Sequence, residues 1–331
     1  MMATATVFIT DYIISPDIER SVLGGNISIE CLNNEDESSF PDSISEADAL
    51  LVWHASITEK TISRLKKCKA IVRYGVGYDS VDYRCAQRYG IPFCNTPDYG
   101  INEVADTACG MILALTRKIF AYNHAAKLFS HGWQEHTQPP MKRLTEHKLG
   151  IIGAGRIGSA VILRMKSFGM DIGFYDPYVA SGYEKTLGVQ RFESQEELLE
   201  FSSIVSLHVP LNEETRWIVD ERFVPNLNYN TTLINTARGK IVKNLDVLYD
   251  GLLSGKLAAV GLDVLPDEPP LASESLIQAW KDPDSPVHSR IIINPHTSYF
   301  SDQAWNEMRI KAAENVKRIL EGKEPKNIVI S

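Results

Sequence analysis

Short apolar runs alternate with segments of helical spacing along most of the chain. In the first third, runs rich in β-branched and aromatic residues predict strands at 7–9, 27–31, 50–53, 70–74 and 92–94. Apolar residues at helical spacing between these runs predict helices over 58–67 and 80–89. Strands that alternate with helices indicate βαβ units and a mostly parallel sheet.

A longer helical segment follows, from an N-cap at Asn102 to about Phe129, and then the alternation resumes. The later strands are predicted at 149–152, 172–175, 204–209, 231–235, 258–263 and 291–293. Helices are predicted from Arg156, over 193–199 and 245–253, and at the end over 303–320. The pattern therefore predicts an α/β fold with a second doubly wound parallel sheet over roughly 103–297.

A glycine motif stands where the second region begins. Gly153, Gly155 and Gly158 form G-x-G-x-x-G between an apolar strand and a helix, and Asp176 ends the next strand. The first glycine permits a tight turn, the second lets the backbone approach a pyrophosphate, and the third allows close packing of helix and strand. A carboxylate such as Asp176 accepts from ribose hydroxyls and repels a 2′-phosphate, which favours NAD over NADP.

Composition narrows the class of protein. Of the 331 residues, 44% are apolar, which is ordinary usage for a globular protein. The net charge of −8 argues against a surface that binds nucleic acid. The five cysteines show no framework spacing, which favours reduced thiols in a cytoplasmic protein. We predict no signal peptide, because the N-terminus lacks a basic region, and no membrane span, because the longest uncharged part of the most apolar helix is too short. We predict no metal site, because the histidines and cysteines lack ligand spacing.

Three polar residues lie just beyond predicted strand ends of the second sheet. They are Arg238 in N-T-A-R-G, Glu268 in D-V-L-P-D-E-P, and His296 in N-P-H. Ligands of open α/β sheets bind at the carboxyl ends of strands, so all three point to one crevice. An arginine can grip a carboxylate, a protonated histidine can supply a proton, and an acid favours the charged imidazole. Singly, each could equally be a surface ion pair or a loop residue.

At this point the chain resembles the NAD-dependent D-2-hydroxyacid dehydrogenases over nearly its whole length. The matching motifs are 153–158, 235–239, 261–264 with Glu268-Pro269, and Pro295-His296. Within that family it looks most like the branch that contains the C-terminal-binding proteins. Four stretches carry this second likeness: 53–58, 71–79, 174–178 and 299–304.

The resemblance implies a Rossmann NAD-binding domain, 103–297, inserted into a flavodoxin-like substrate domain of 1–102 plus 298–331. It implies a homodimer formed through the nucleotide domains, and reduction of a 2-oxo acid to a D-2-hydroxy acid, with the reverse reaction. His296 would be the acid/base, Glu268 its partner and Arg238 the substrate-binding arginine. Substrate contacts would come from Arg73, Gly75, Val76, Gly77 and Tyr299. NAD would be bound by Gly153, Gly155, Arg156, Ile157, Gly158, Asp176, Val209, Pro210, Thr215, Thr236, Ala237, Arg238, Asp263 and His296.

Several alternatives stay open at the level of sequence. Tyr299 stands where the C-terminal-binding proteins have tryptophan, so the accepted side chain is undetermined. Glyoxylate, hydroxypyruvate, phenylpyruvate-like acids, 4-methylthio-2-oxobutyrate and a phosphonate analogue all remain candidates. A second hypothesis is an NAD(H)-sensing co-repressor or partner-binding protein with weak dehydrogenase activity. The chain ends soon after its last helix, without the long extension of the animal members, which favours the enzyme. His54 could face the cleft, and Trp133 could be a dimer contact or a pocket residue.

Overall fold

The computed structural model describes residues 5–128 and 132–330 of the chain. Phe129, the predicted helix end, and His131 lie outside the described residues. By contacts between residues, the chain divides into two compact units. The smaller unit comprises Met1–Gly100 with Phe300–Ser331, and the larger comprises Ile101–Tyr299.

The smaller unit is built on a five-stranded parallel sheet. Its strands are β1 (Ala5–Ile9), β2 (Ile27–Cys31), β3 (Ala49–Val52), β4 (Ile71–Arg73) and β5 (Phe93–Cys94), in the order β2-β1-β3-β4-β5. This is the flavodoxin-like order, in which the strand sequence reverses between β1 and β3. Three helices precede the larger unit: α1 (Asp17–Leu23), α2 (Glu59–Ile62) and α3 (Tyr83–Arg88).

Two helices of this unit differ from expectation. The helix predicted over 58–67 is only the four residues of α2, because the chain beyond Ile62 forms tighter turns, with Arg64 N bonded to Thr61 O and Leu65 N to Ile62 O. Helix α1 was not predicted. Its fully buried side chain at Glu19 is acidic, so the segment lacks the apolar periodicity on which the prediction depends.

The larger unit is built on a seven-stranded parallel sheet. Its strands are β6 (Lys148–Ile152), β7 (Asp171–Tyr175), β8 (Gln190–Arg191), β9 (Ile204–Leu207), β10 (Thr231–Asn235), β11 (Leu257–Leu262) and β12 (Ile291–Ile293). The order is β12-β11-β10-β9-β6-β7-β8, so the reversal point lies between β6 and β9. This is the Rossmann order with one added strand, and it confirms the predicted class of two doubly wound parallel-sheet domains.

Helices cover both faces of the larger sheet. They are α4 (Ile101–Thr116), α5 (Ile119–Leu128), α6 (Arg156–Lys166), α7 (Tyr183–Leu187), α8 (Gln195–Phe201), α9 (Phe223–Asn226), α10 (Leu245–Leu253) and α11 (Ser275–Lys281). Neighbouring residues of β10 belong to different hydrophobic clusters, Leu233 to one and Ile234 to the other. This is the alternation expected of a strand buried on both faces. Among the described helices, none is long and apolar enough to cross a membrane.

The single helix predicted from Asn102 to about Phe129 is two helices, α4 and α5. The chain breaks at Lys118, whose φ of 52° lies in the left-handed region, and its Nζ donates to Pro139 O at 2.7 Å. Asn102 is not an N-cap. It lies within the first turn of α4, where its side-chain oxygen accepts from Arg164 Nη2 at 3.0 Å.

The last helix, α12 (Asp302–Leu320), belongs to the smaller unit and is tied to it by a buried ion pair. Arg309 donates from Nε and Nη2 to the two oxygens of Glu19 at 2.8 and 2.6 Å. Tyr74 also donates its hydroxyl hydrogen to Glu19, at 2.9 Å. Because the buried charges are paired and hydrogen-bonded, the pair fixes α12 against α1 and the end of β4. The five cysteines carry free thiols, as predicted.

Candidate active site

The glycine motif forms the turn between β6 and α6. Gly153 has a φ of 91°, and a Cβ there would lie 2.6 Å from His208 O. A Cβ on Gly158 would lie 2.0 Å from Gly153 O, so this position packs helix against turn. Gly155 is the N-cap residue of α6, where no side chain caps the helix, and its Cβ position has no neighbouring atom within 4 Å. The amide groups of the helix N-terminus are therefore open to a phosphate, as a dinucleotide requires.

Asp176, just beyond β7, is attached to this turn. Its Oδ2 accepts from Ala154 N and its Oδ1 from Tyr178 N, both at 2.9 Å. The carboxylate has further acceptor capacity for ribose hydroxyls. A basic residue that sequence reasoning missed lies nearby: Arg191 on β8 donates from Nη2 to Asp176 O at 3.1 Å. Its Nη1 donates to the carbonyl of Val179 at 3.1 Å, so its donors are directed at backbone oxygens.

Two buried polar atoms without a protein partner lie at the carboxyl edge of neighbouring strands. They are Nδ1 of His208, just after β9, and Oγ1 of Thr236, just after β10. The last residues of these strands, Leu207 and Asn235, are paired in the sheet. Burial lowers the pKa of His208 to about 3, so its ring is neutral at physiological pH, and its Nε2 contacts Ser206 Oγ at 2.9 Å. Orphaned polar atoms beside an open glycine turn are what a bound dinucleotide would satisfy, so the residues present fit NAD.

The segment after β9 forms a compact loop beside the same turn. Val209 Cγ1 lies 2.8 Å from the Cβ position of Gly153. Further along, Thr215 Oγ1 donates to Pro210 O at 2.5 Å and accepts from Asn212 N at 2.9 Å. Thr215 thus closes the loop that carries Val209 and Pro210.

His296 and Glu268 form a hydrogen-bonded pair. Nδ1 of His296 lies 2.8 Å from Oε2 of Glu268, while Oε1 of Glu268 accepts from Leu265 N at 2.8 Å. Burial by itself raises the pKa of Glu268, but the hydrogen bond and charge of His296, the Leu265 amide and the Arg238 charge together hold it below its usual range. Glu268 is therefore an ionised carboxylate that orients the imidazole.

Arg238 lies close to this pair because two loops pack tightly. Asn235, fully buried at the end of β10, donates from Nδ2 to Arg238 O and accepts from Ala237 N, which shapes the loop. At Gly239, a Cβ would lie 1.7 Å from Leu265 O. Only glycine permits this contact, which brings the Arg238 loop against the loop that carries Glu268. Sequence reasoning assigned neither Asn235 nor Gly239 a role, although both stand in the N-T-A-R-G motif.

Asp263 shapes the segment that carries His296. Its side chain is 2% exposed and accepts from the amides of Thr297 at 2.9 Å and Ser298 at 3.0 Å, and its carbonyl accepts from His296 N at 2.8 Å. Burial raises the pKa of Asp263, an effect that these hydrogen bonds partly offset. His296 itself has a φ of 54°, so Asp263 holds it in a conformation uncommon for a residue other than glycine. Tyr299, half-buried, follows three residues later.

In the smaller unit, the predicted substrate residues form a braced loop after β4. Gly75 has a φ of 109°, and a Cβ there would lie 2.3 Å from Nη1 of Arg73. Thr96 donates from its hydroxyl to Arg73 O at 3.1 Å and from its amide to Gly75 O at 3.0 Å. Val76 O accepts from the side chain of Asn95 at 2.7 Å, and Gly77 follows in the same loop. Arg73 is therefore presented at the carboxyl edge of its sheet by a well-anchored loop.

Comparison with known proteins agrees with this geometry. Residues 109–298 match the family model of the D-isomer specific 2-hydroxyacid dehydrogenase NAD-binding domain. A glyoxylate reductase of Korarchaeum cryptofilum is 33% identical over 86% of this chain and 83% of that protein. A D-3-phosphoglycerate dehydrogenase of Methanocaldococcus jannaschii is 32% identical over 87% of this chain, which spans 52% of that longer protein.

The same likeness holds in three dimensions. The crystal structure of D-lactate dehydrogenase from Aquifex aeolicus, complexed with NAD and lactic acid, superimposes with a TM-score of 0.82 at 29% identity, and the match covers 96% of each chain. The family model and the glyoxylate reductase confirm the resemblance seen in the motifs. The chain therefore belongs to the D-isomer-specific 2-hydroxyacid dehydrogenases, and it is an NAD-dependent oxidoreductase that acts on a CH–OH group.

Proposed function

We propose that the protein reduces a small or medium 2-oxo acid to the D-2-hydroxy acid, and catalyses the reverse reaction. One observation carries the proposal. The loop of Arg238 packs on the loop of Glu268, and Glu268 is hydrogen-bonded to His296. All three residues lie at the carboxyl edge of the sheet that bears the glycine turn. An arginine, an oriented histidine and a carboxylate are the groups that this reduction needs.

The residues assigned to NAD divide by the part of the cofactor that they hold. In the proposal, the glycine turn and the helix N-terminus bind the pyrophosphate, and Asp176 binds the ribose. The loop after β9 contacts the adenine side, and the strand ends of β10 to β12 contact the nicotinamide side. NADH, when bound there, supplies the hydride. The residues, in the same order, are Gly153, Gly155, Arg156, Ile157 and Gly158; Asp176; Val209, Pro210 and Thr215; and Thr236, Ala237, Arg238, Asp263 and His296.

The chain's own residues would bind the substrate and move the proton. Arg238 holds the carboxylate and polarises the carbonyl oxygen. Protonated His296 donates from Nε2 to that oxygen, because Nδ1 faces Glu268. Glu268 stabilises the imidazolium before transfer. In the reverse direction the neutral imidazole takes the hydroxyl proton. The proposal also includes Arg73, Gly75, Val76, Gly77 and Tyr299 as further substrate contacts.

The test is NADH oxidation with a panel of 2-oxo acids: glyoxylate, hydroxypyruvate, phenylpyruvate and 4-methylthio-2-oxobutyrate. We expect turnover with at least one of them, and a loss of about a hundred-fold or more in kcat for His296→Ala. Fluorescence titration with NADH controls for the binding site, and we expect the variant to bind NADH as the native protein does. Unchanged turnover in His296→Ala would refute the assigned role.

The co-repressor hypothesis makes a different prediction in the same assay. No turnover on any acid of the panel, together with intact NADH binding, would favour a sensing protein. Membership of the branch that contains the C-terminal-binding proteins stays a prediction, because it rests on the four sequence stretches alone.

We further propose a homodimer formed through the larger unit. Four large apolar side chains on α5 and the segment after it are more than half exposed: Ile119, Phe120, Leu128 and Trp133. Exposed apolar residues clustered on one element are typical of a protein interface. Light scattering should give twice the chain mass, and Phe120→Glu should shift the molecule to a monomer. A native monomer would contradict the proposal.

A further inference from the structure

An aromatic surface lies at the carboxyl edge of the smaller sheet. Tyr12 follows β1, Trp53 follows β3, and Trp305 comes from α12. Ring centroids are 4.9 Å apart for Tyr12 and Trp53, 5.8 Å for Tyr12 and Trp305, and 4.9 Å for Trp53 and Trp305. Strands β1 and β3 are the pair at which the strand order reverses, where open parallel sheets bind ligands.

Tyr12 has an unusual combination of backbone and exposure. Its φ of 65° lies in the left-handed region, which glycine adopts freely and a bulky residue rarely does. Its side chain is nevertheless 54% exposed, so burial does not compensate for the strain. Local strain of this kind concentrates at functional sites. A glycine would form the same turn without strain, so the ring itself is what this position provides.

The turn that presents Tyr12 is rigidly built around Asp11. The Asp11 carboxylate, 2% exposed, accepts from Thr10 Oγ1 at 2.5 Å and from the amides of His54, Trp53 and Ala55 at 2.7, 3.2 and 3.3 Å. It thereby ties the segment after β1 to the segment after β3. His54 completes the surface, with its Nδ1 3.3 Å from Asp11 and its ring 5.1 Å from that of Tyr12.

The same group of residues could be taken for a cation site. Ligand atoms of Asp11, Glu35 and His54 lie within 4.8 Å of one another. However, the oxygens of Asp11 are already occupied by the hydrogen bonds that hold the two segments together. The geometry therefore favours an organic ligand that contacts the rings over a metal ion.

The surface adjoins the loop proposed to bind the substrate carboxylate. Val52, the last residue of β3, is paired with Arg73 in β4, and Tyr74 N donates to Val52 O at 2.8 Å. The ring of Tyr74 lies 5.5 Å from that of Trp53. A 2-oxo acid whose carboxylate meets Arg73 would have its side chain beside the neighbouring strand ends, where Tyr12 and His54 lie.

We propose that Tyr12, supported by His54 and Trp305, determines substrate specificity and selects 2-oxo acids whose side chain ends in an aromatic ring. The proposal rests on the function proposed above and names its substrate class. An aromatic ring gains from offset or edge-to-face contact with Tyr12 beyond the gain from burial alone. Tyr12 and His54 are both partly exposed, so the far edge of the substrate ring could stay hydrated.

The experiment compares kcat/KM for phenylpyruvate and glyoxylate, with NADH, in the native protein, Tyr12→Gly and Tyr12→Phe. The native protein should prefer phenylpyruvate. In Tyr12→Gly the ratio of the two values should fall about ten-fold, whereas Tyr12→Phe should stay within about two-fold of native. Because glycine relieves the strain, the Tm of Tyr12→Gly should not fall by more than about 2 °C, which separates loss of the ring from misfolding.

Tyr89→Ala is the matched control. Tyr89 is 47% exposed on the same unit, but it is the C-cap residue of α3, in the segment that leads to the amino end of β5. Its removal should therefore not alter the ratio. A native preference for glyoxylate, or an unchanged ratio in Tyr12→Gly, would overturn the proposal.

A binding measurement separates this proposal from the proposed function. If none of the 2-oxo acids supports NADH oxidation by the native protein, the proposed function fails. The change in tryptophan emission is then measured while 2-hydroxy-3-phenylpropanoate is added in the presence of NAD. A saturable change that Tyr12→Gly abolishes would support the aromatic surface on its own. The absence of any saturable change would overturn it.

Discussion

Nδ1 of His296 lies 2.8 Å from Oε2 of Glu268, and the second oxygen of that carboxylate accepts the amide of Leu265. The histidine is thus held by a group that is itself fixed to the backbone. This arrangement determines which imidazole nitrogen faces outward, and it places the Glu268 carboxylate beside the other nitrogen.

Glu268→Gln should lower turnover in both directions. The amide keeps the size of the side chain but removes the charged acceptor that orients Nδ1 of His296, so kcat should fall by about ten-fold or more. Fluorescence titration should show that the variant binds NADH as the native protein does. A native kcat in Glu268→Gln would show that Glu268 does not act through its charge.

Asp176→Ser should relax the preference for NAD. The native protein should use NADH in preference to NADPH, because a 2′-phosphate would meet the Asp176 carboxylate. Removal of that charge next to Arg191 should raise the ratio of kcat/KM for NADPH to that for NADH by about ten-fold or more. Comparable native efficiency with the two cofactors would contradict the assignment.

Gly239→Ala should reduce turnover by moving the loops of the site apart. The added Cβ would meet Leu265 O at 1.7 Å, so the loops of Arg238 and Glu268 must separate, and turnover should fall by about a hundred-fold. Gly110→Ala is the matched control, because a Cβ at this exposed position of α4 meets no atom within 4 Å. That change should stabilise the protein by about 0.5–1 kcal/mol without altering turnover. Native activity in Gly239→Ala would be incompatible with the packing described.

Asp11→Asn should show a stability loss that depends on pH. Burial by itself raises the pKa of Asp11, but the hydrogen bonds from His54, Thr10 and Trp53 outweigh it and lower the pKa. A lowered pKa in the folded state stabilises the protein at pH values above the ordinary pKa of aspartate. This contribution is lost as the pH falls through the folded-state pKa.

Urea unfolding of Asp11→Asn and the native protein measures this contribution. The free energy of unfolding should be lower in the variant by about 1–3 kcal/mol near neutral pH, because amide groups lose a charged acceptor. The difference should shrink as the pH falls below the ordinary pKa of aspartate and through the lower folded-state value. A difference that stays constant across this range would show that ionisation of Asp11 does not stabilise the fold.

The sheets were accessible to sequence reasoning because most of their strands are buried on both faces and are bounded by turn residues. Strand β10, which is buried throughout, has the predicted limits. The partly buried edge strands β2 and β12 also have the predicted limits. Helix α1 was missed because Glu19 occupies an interior position that makes sense only with Arg309, 290 residues later in the chain.

The candidate site shows the same division. The glycine motif and the strand-end residues Arg238, Glu268 and His296 could be named from local spacing, since each follows an apolar strand. The groups that position them could not. Gly239 acts through a close contact with Leu265. Nδ1 of His208 lacks a hydrogen-bond partner because the chain buries this residue just beyond the end of β9.

The sequence by itself therefore determined the family, the two parallel sheets and the residue types that carry the chemistry, because these depend on local patterns. Tertiary structure alone decided that Asp263 and Gly239 hold the reacting groups, and that Tyr12 keeps an exposed ring on a strained turn. Such roles arise from contacts between segments distant in the chain, which no local pattern encodes.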